Sequence, residues 1–131
     1  MTLPSRYYEW YAGYIMGDLI DFQQRIVAFR DARDWKQFHN PKDSAVALNL
    51  EATEVLEHFL WKNSDEMTAY LKTHRDDVGE ELADTLYWVL LMAHDLGIDL
   101  ARIFDQKMAK NEAKYSVEKA KGNHKKYTEL K

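Results

Sequence analysis

The chain has 131 residues, the size of one ordinary domain, with 46% hydrophobic residues to build a core and 31% charged residues to solvate it. Its net charge of −4, from 22 acidic and 18 basic residues, argues against a general nucleic-acid binder, which carries a basic excess. A nucleotide ligand stays compatible with that charge, because a divalent cation supplies the positive partner. There are no cysteines, which excludes disulfides, thiolate metal sites and cysteine nucleophiles. Five glycines and two prolines leave room for long helices. No apolar run approaches the ~20 residues that span a bilayer. The N-terminus shows no basic stretch followed by an apolar one. A cytoplasmic setting without membrane contact is therefore expected.

Residues 1–16 are rich in aromatics (Tyr7, Tyr8, Trp10, Tyr11, Tyr14) and read as an N-terminal arm. The recurrence of Leu19, Ile20, Phe22, Ile26, Val27 and Phe29 predicts a first helix over 18–33 with one buried face. A connector follows, carrying Trp35, Phe38 and His39. It ends at Pro41, which biases Asn40 away from helix. Large rings in a connector either anchor it or line a pocket.

A second helix is predicted from Asp43 or Ser44, either of which can cap it, to Trp61. Ala45, Leu48, Ala52, Val55, Leu56 and Phe59 form its apolar stripe. Glu51, Glu54 and His58 form the adjoining stripe, so these carboxylates border the core face instead of opposing it. Residues 63–73 are polar, with Ser64-Asp65-Glu66 opening a short helix. A third long helix is predicted over 76–96, with Val78, Leu82, Leu86, Val89, Leu90 and Ala93 inward. Asp77, Glu81, Asp84 and Trp88 share a second stripe on it. Gly97 stops it, and Asp99 caps a fourth helix over 100–121. Lys107, Asn111, Lys114 and Tyr115 are near neighbours there at helical spacing. The tail, 122–131, is charged and expected to be loose. The whole reads as one all-α domain, a four-helix bundle-like arrangement with antiparallel neighbours.

Residues three or four apart on a helix project from one side. Glu51 and Glu54 can thus approach one ion, and Glu81 and Asp84 repeat the arrangement. Carboxylate oxygens suit Mg²⁺, Mn²⁺ or Ca²⁺. The competing reading is surface acids paired with lysines, since a single Glu-x-x-Glu is common. Two such motifs on successive helices, each beside a core face, favour the metal site. A di-iron bundle needs Glu-x-x-His from two helices, and none occurs here.

Glu51-x-x-Glu54 followed by Glu81-x-x-Asp84 resembles the MazG-like all-α nucleoside triphosphate pyrophosphohydrolases. The resemblance extends to Arg33-Asp34-Trp35-Lys36-Gln37-Phe38-His39, to Trp61-Lys62, to Glu80-Glu81-Leu82-Ala83-Asp84 and to the run Lys107 to Tyr115. In these stretches, over roughly 26–115, the chain looks like the dCTP pyrophosphatase branch. The resemblance implies Mg²⁺-dependent hydrolysis of a (deoxy)nucleoside triphosphate to the monophosphate and pyrophosphate, dCTP foremost, in nucleotide pool sanitation. Mn²⁺ is the alternative ion. It implies that Glu51, Glu54, Glu81 and Asp84 hold the metal, and that one of the glutamates, or Glu57, orients the attacking water. Lys107 and Asn111, with Lys114 and Tyr115 behind them, would contact phosphates or sugar. Trp35 and Trp61 would flank the base beside His39. Trp88 stands where the branch often has a smaller aromatic, and Ile26 where a histidine sometimes stands, so base preference can differ. A homo-oligomer, dimer or tetramer, is implied as well. The alternatives are a pyrophosphohydrolase for dATP, dUTP or a phosphoribosyl-nucleotide, and a non-catalytic helical module that binds a partner through its aromatic arm.

Overall fold

The structure is a computed structural model and describes residues 19–130; the aromatic stretch 1–16 lies outside the described residues. Those residues are helical with no strand. Helix α1 occupies 19–31. A 3-10 turn, Trp35–Phe38, leads into α2, Pro41–Glu57; α3 is Ser64–Asp95, α4 is Leu100–Lys114, α5 is Val117–Ala120, and a second 3-10 turn is Tyr127–Glu129. They form two compact units, one ending at Gly97 and the other beginning at Ile98.

Helix α2 starts earlier than the sequence suggests. The Asn40 side chain, not Asp43 or Ser44, caps it by accepting from the Asp43 amide at 2.9 Å. Pro41 then occupies the first helical position, where its missing N–H costs nothing. The helix also ends earlier, at Glu57. Trp61 stands beyond it in a turn, at φ 62°.

Helix α3 absorbs the segment expected to be a separate short helix. Asn63 and Glu66 form a reciprocal capping box, with Glu66 N to Asn63 Oδ1 at 3.0 Å and Asn63 N to Glu66 Oε2 at 2.7 Å. The two expected helices run on through a kink at His74, whose φ of −119° and ψ of 21° leave helical space. Gly97, at φ 64°, takes the left-handed position that ends the rod.

The core of the first unit lies along the C-terminal half of α3, where Val78, Leu90, Leu91 and Ala93 are buried. Helices α2 and α3 pack along each other. Helix α1 is tied to the same half of α3 by two polar contacts. Gln23 Nε2 donates to the Leu90 carbonyl at 2.9 Å, and Arg30 Nη1 reaches both Asp95 carboxylate oxygens at 2.6 Å. The Arg30 side chain is fully buried. Burial pushes the Asp95 carboxyl up, but the Arg30 guanidinium outweighs it and holds it below its ordinary range.

Two apolar stripes are only half used. On α2, Leu48 and Val55 are partly covered, while Ala52 and Leu56 face solvent. On α3, Leu82 is 55% exposed where an inward position was expected. In the second unit, Asp99 caps α4 by accepting from Arg102 N at 3.0 Å. Helix α4 stops at Lys114, short of the predicted 121. Tyr127 from the tail packs edge-on to Tyr115, centroids 6.0 Å apart, with Lys114 Nζ 4.9 Å from its ring centre.

Candidate active site

The packing of α2 along α3 sets their acidic stripes face to face. Glu51, Glu81 and Asp84 each offer a carboxylate oxygen, and these oxygens lie within 4.8 Å of one another. Among the described residues this is the one such group. The fourth predicted acid, Glu54, is outside the triad, and its nearby charge helps raise the Glu81 carboxyl.

Crowding shows in the titration of these groups. Burial, then the charges of Asp84 and Glu54, push the Glu51 carboxyl up; a hydrogen bond from Trp88 pulls partly the other way. Burial also raises Glu81, followed by the hydrogen bond and charge of Glu54 and the charge of Asp84, with His58 opposing. Like charges this close disfavour ionisation unless a cation sits among them. The donors are all oxygen, which fits a hard divalent ion such as Mg²⁺ or Mn²⁺.

Glu51 and Asp84 also line an open cleft of about 770 Å³, inside the ~300–1,000 Å³ range of small-molecule sites. Its other walls are largely aromatic and apolar. Trp35, His39 and Trp88 all line it. The His39 ring sits 5.2 Å from Trp88, and its Nδ1 is buried without a hydrogen-bond partner among the described residues. Trp35 meets Phe29 edge-on at 5.8 Å. Ile26, the position of a departure from the family pattern, lines the same cleft.

Phe22, Arg25, Phe29 and Tyr87 line the cleft too and were not predicted as site residues. Phe22, Ile26 and Phe29 read as core because their spacing suits a buried face. Phe29 is in fact 43% exposed. The available signal was Arg25 and Arg33 within that stripe. Arg33 lies 3.7 Å from the centre of the Phe29 ring, a stack that a buried phenylalanine does not offer.

Trp61 lines neither the cleft nor the smaller cavity near His39, and its ring is 93% exposed. Lys107, Asn111, Lys114 and Tyr115 belong to α4 and its C-terminal cap, in the second unit. Asn111 is half-buried, and the other three are exposed.

Comparison with known proteins places the chain in a family. Residues 46–130 match the MazG-like family, a span that begins just before the first acidic motif and ends past α5. The chain is 35% identical to dCTP pyrophosphatase 1 of Rattus norvegicus over 114 residues, covering 86% of this chain and 67% of the relative. It is 33% identical to dCTP pyrophosphatase 1 of Homo sapiens over 114 residues, with 86% and 67% covered. The crystal structure of a pyrophosphatase from Archaeoglobus fulgidus superposes with a TM-score of 0.67 at 37% identity, covering 77% of this chain and 92% of that one.

Proposed function

Since the chain belongs to the MazG-like family, we propose that it hydrolyses a deoxynucleoside triphosphate to the monophosphate and pyrophosphate with a divalent cation, Mg²⁺ foremost. The observation that carries this reading is the cluster of Glu51, Glu81 and Asp84 carboxylates, of which Glu51 and Asp84 line an aromatic cleft. Relatives named dCTP pyrophosphatase support dCTP as the first substrate to test. Such an enzyme clears unwanted nucleotides from the cytoplasmic pool.

Glu51, Glu81 and Asp84 hold the cation in this reading. When bound, it offsets charge on the phosphate oxygens and on the leaving pyrophosphate. Glu54, beside Glu81, accepts a proton from the attacking water; Glu57 is the second candidate. The water oxygen bonds to the α-phosphorus, and the bond from that phosphorus to the β-bridging oxygen breaks. Pyrophosphate departs with the electron pair. Trp35 and Trp88 present faces and edges on which a base stacks. His39, on the cleft wall beside Trp88, is the candidate to contact the base edge. Lys107, Asn111, Lys114 and Tyr115 supply phosphate and sugar contacts.

The protein works as a homo-oligomer in this account. Val46, Leu50 and Leu56 are exposed along α2, more apolar surface than one helix leaves to water without a partner. Trp61, past the end of α2, is exposed as well. A tryptophan held at positive φ and exposed to water is costly alone, and seating its ring on a second copy beside the base explains its position.

The test is a product assay with dCTP, dATP, dTTP, dUTP and dGTP at millimolar Mg²⁺. Pyrophosphate and monophosphate in equal amounts are expected, fastest for dCTP. Orthophosphate as the product, or no turnover of any triphosphate, refutes the reading.

A further inference from the structure

One histidine touches the acidic cluster without belonging to it. His58 follows the last turn of α2 and lies part-buried between Tyr70 and Glu81. Its Nδ1 is 2.7 Å from the Tyr70 hydroxyl, and its Nε2 is 4.0 Å from Glu81 Oε1. Tyr70 is itself fixed. Its ring stacks on His74, with centroids 4.0 Å apart and planes 5° apart, and Lys62 Nζ lies 4.4 Å from its ring centre. His74 is the residue at which α3 leaves helical geometry, and its Nδ1 meets Thr73 Oγ1 at 2.8 Å.

The chemistry at both ends of the His58 ring selects one tautomer. A carboxylate only accepts, so attraction across the 4.0 Å to Glu81 favours the hydrogen on the ring nitrogen that faces it. In a neutral imidazole the other nitrogen is then a bare acceptor, and the Tyr70 hydroxyl donates to it. Neither contact needs the ring to be charged.

We infer that His58, oriented by Tyr70, is a positioning residue that aims Glu81 into the carboxylate cluster. Its Nε2, 4.0 Å from Glu81 Oε1 and so beyond direct hydrogen-bond range, attracts that oxygen toward α2 electrostatically and leaves the other for the ion. The inference rests on the proposed function, because it takes Glu81 as a cation ligand. Partners that stand behind metal ligands typically change metal affinity by about 10–100-fold.

Mn²⁺ binding to the metal-free protein, read by electron paramagnetic resonance without nucleotide, tests this. His58→Phe should weaken Mn²⁺ binding about 10–100-fold. Turnover at saturating Mn²⁺ should fall far less than affinity does. His58→Gln should recover much of the affinity, since its amide nitrogen reaches the place of Nε2. Tyr70→Phe should shift affinity the same way by a smaller factor, and it carries the test alone if His58→Phe does not fold. Glu81→Gln separates the two ideas. If it loses Mn²⁺ while His58→Phe and Tyr70→Phe both bind as wild type within twofold, the positioning role is overturned and the metal site stands. Wild-type Mn²⁺ binding by Glu81→Gln overturns the metal site itself, and the positioning role with it.

Discussion

Glu51 on α2 and Asp84 on α3 bring carboxylate oxygens within 4.8 Å of each other, and both line the aromatic cleft. Two acids from different helices converge there, where solvation alone would keep them apart. Asp84 is the second-largest cause, after burial, of the raised Glu51 carboxyl. The pair therefore opposes the metal-free fold at neutral pH and favours any state in which a cation lies between them.

Replacing one acid of the cluster separates folding from chemistry. Glu54→Gln and Asp84→Asn should each lower turnover by at least ~100-fold, the scale of losing a positioned charge in a transition state. Helical content by circular dichroism should stay at the wild-type level. Unchanged turnover in both variants would reject the assigned site.

Cation binding should stabilise the protein by mass action. Mg²⁺ or Mn²⁺ at about 100 times its dissociation constant adds ~2.7 kcal/mol, raising the melting temperature by several degrees. A chelator should reverse the gain. Asp84→Asn should show little of it, while melting no lower than the wild type when both are metal-free, because one like charge has gone.

The Arg30–Asp95 pair makes a different prediction, one of stability and pH. Arg30→Met leaves the Asp95 carboxylate without its buried partner and should cost about 3 kcal/mol in urea unfolding at pH 7. The Asp95 carboxyl is held below its ordinary value in the fold. The stability from this pair is therefore present above the unfolded value near pH ~4 and is lost as pH falls through the lower folded value. The gap between wild type and Arg30→Met should accordingly close toward acid. A gap that widens there contradicts the assignment.

Trp35→Ala should act on binding more than on chemistry. Losing a stacking face costs ~1–3 kcal/mol per base, so KM for the preferred triphosphate should rise roughly 10–100-fold with kcat much less affected. His39→Phe keeps the ring beside Trp88 and removes the unpartnered nitrogen. It should alter the ranking of bases more than the rate on the best one.

The helices and the acidic faces were legible because both follow from the 3.6-residue period. Glu51, Glu81 and Asp84 border apolar stripes, and stripes pack together. The ends of elements were less legible. Asn40 caps α2 because Pro41 fixes the first turn, a local effect that overrides the capping strength of Asp43 and Ser44. The polar run before residue 76 reads as an interruption, yet the capping box of Asn63 and Glu66 carries helix through to the kink at His74. The cleft was legible from only one side. Trp35 and His39 stood out as rings in a connector. Phe22 and Phe29 looked like core, because periodicity reports that a face is covered and not whether side chain or ligand covers it. Nor does spacing within α2 tell that His58 meets Tyr70, which requires two helices to be docked.

The most direct test of the central claim is where the water oxygen ends after hydrolysis. A reaction of dCTP with Mg²⁺ in ¹⁸O-labelled water, analysed by mass spectrometry, should place one label in the monophosphate and none in the pyrophosphate. Label in the pyrophosphate would mean attack at the β-phosphorus and would contradict the account.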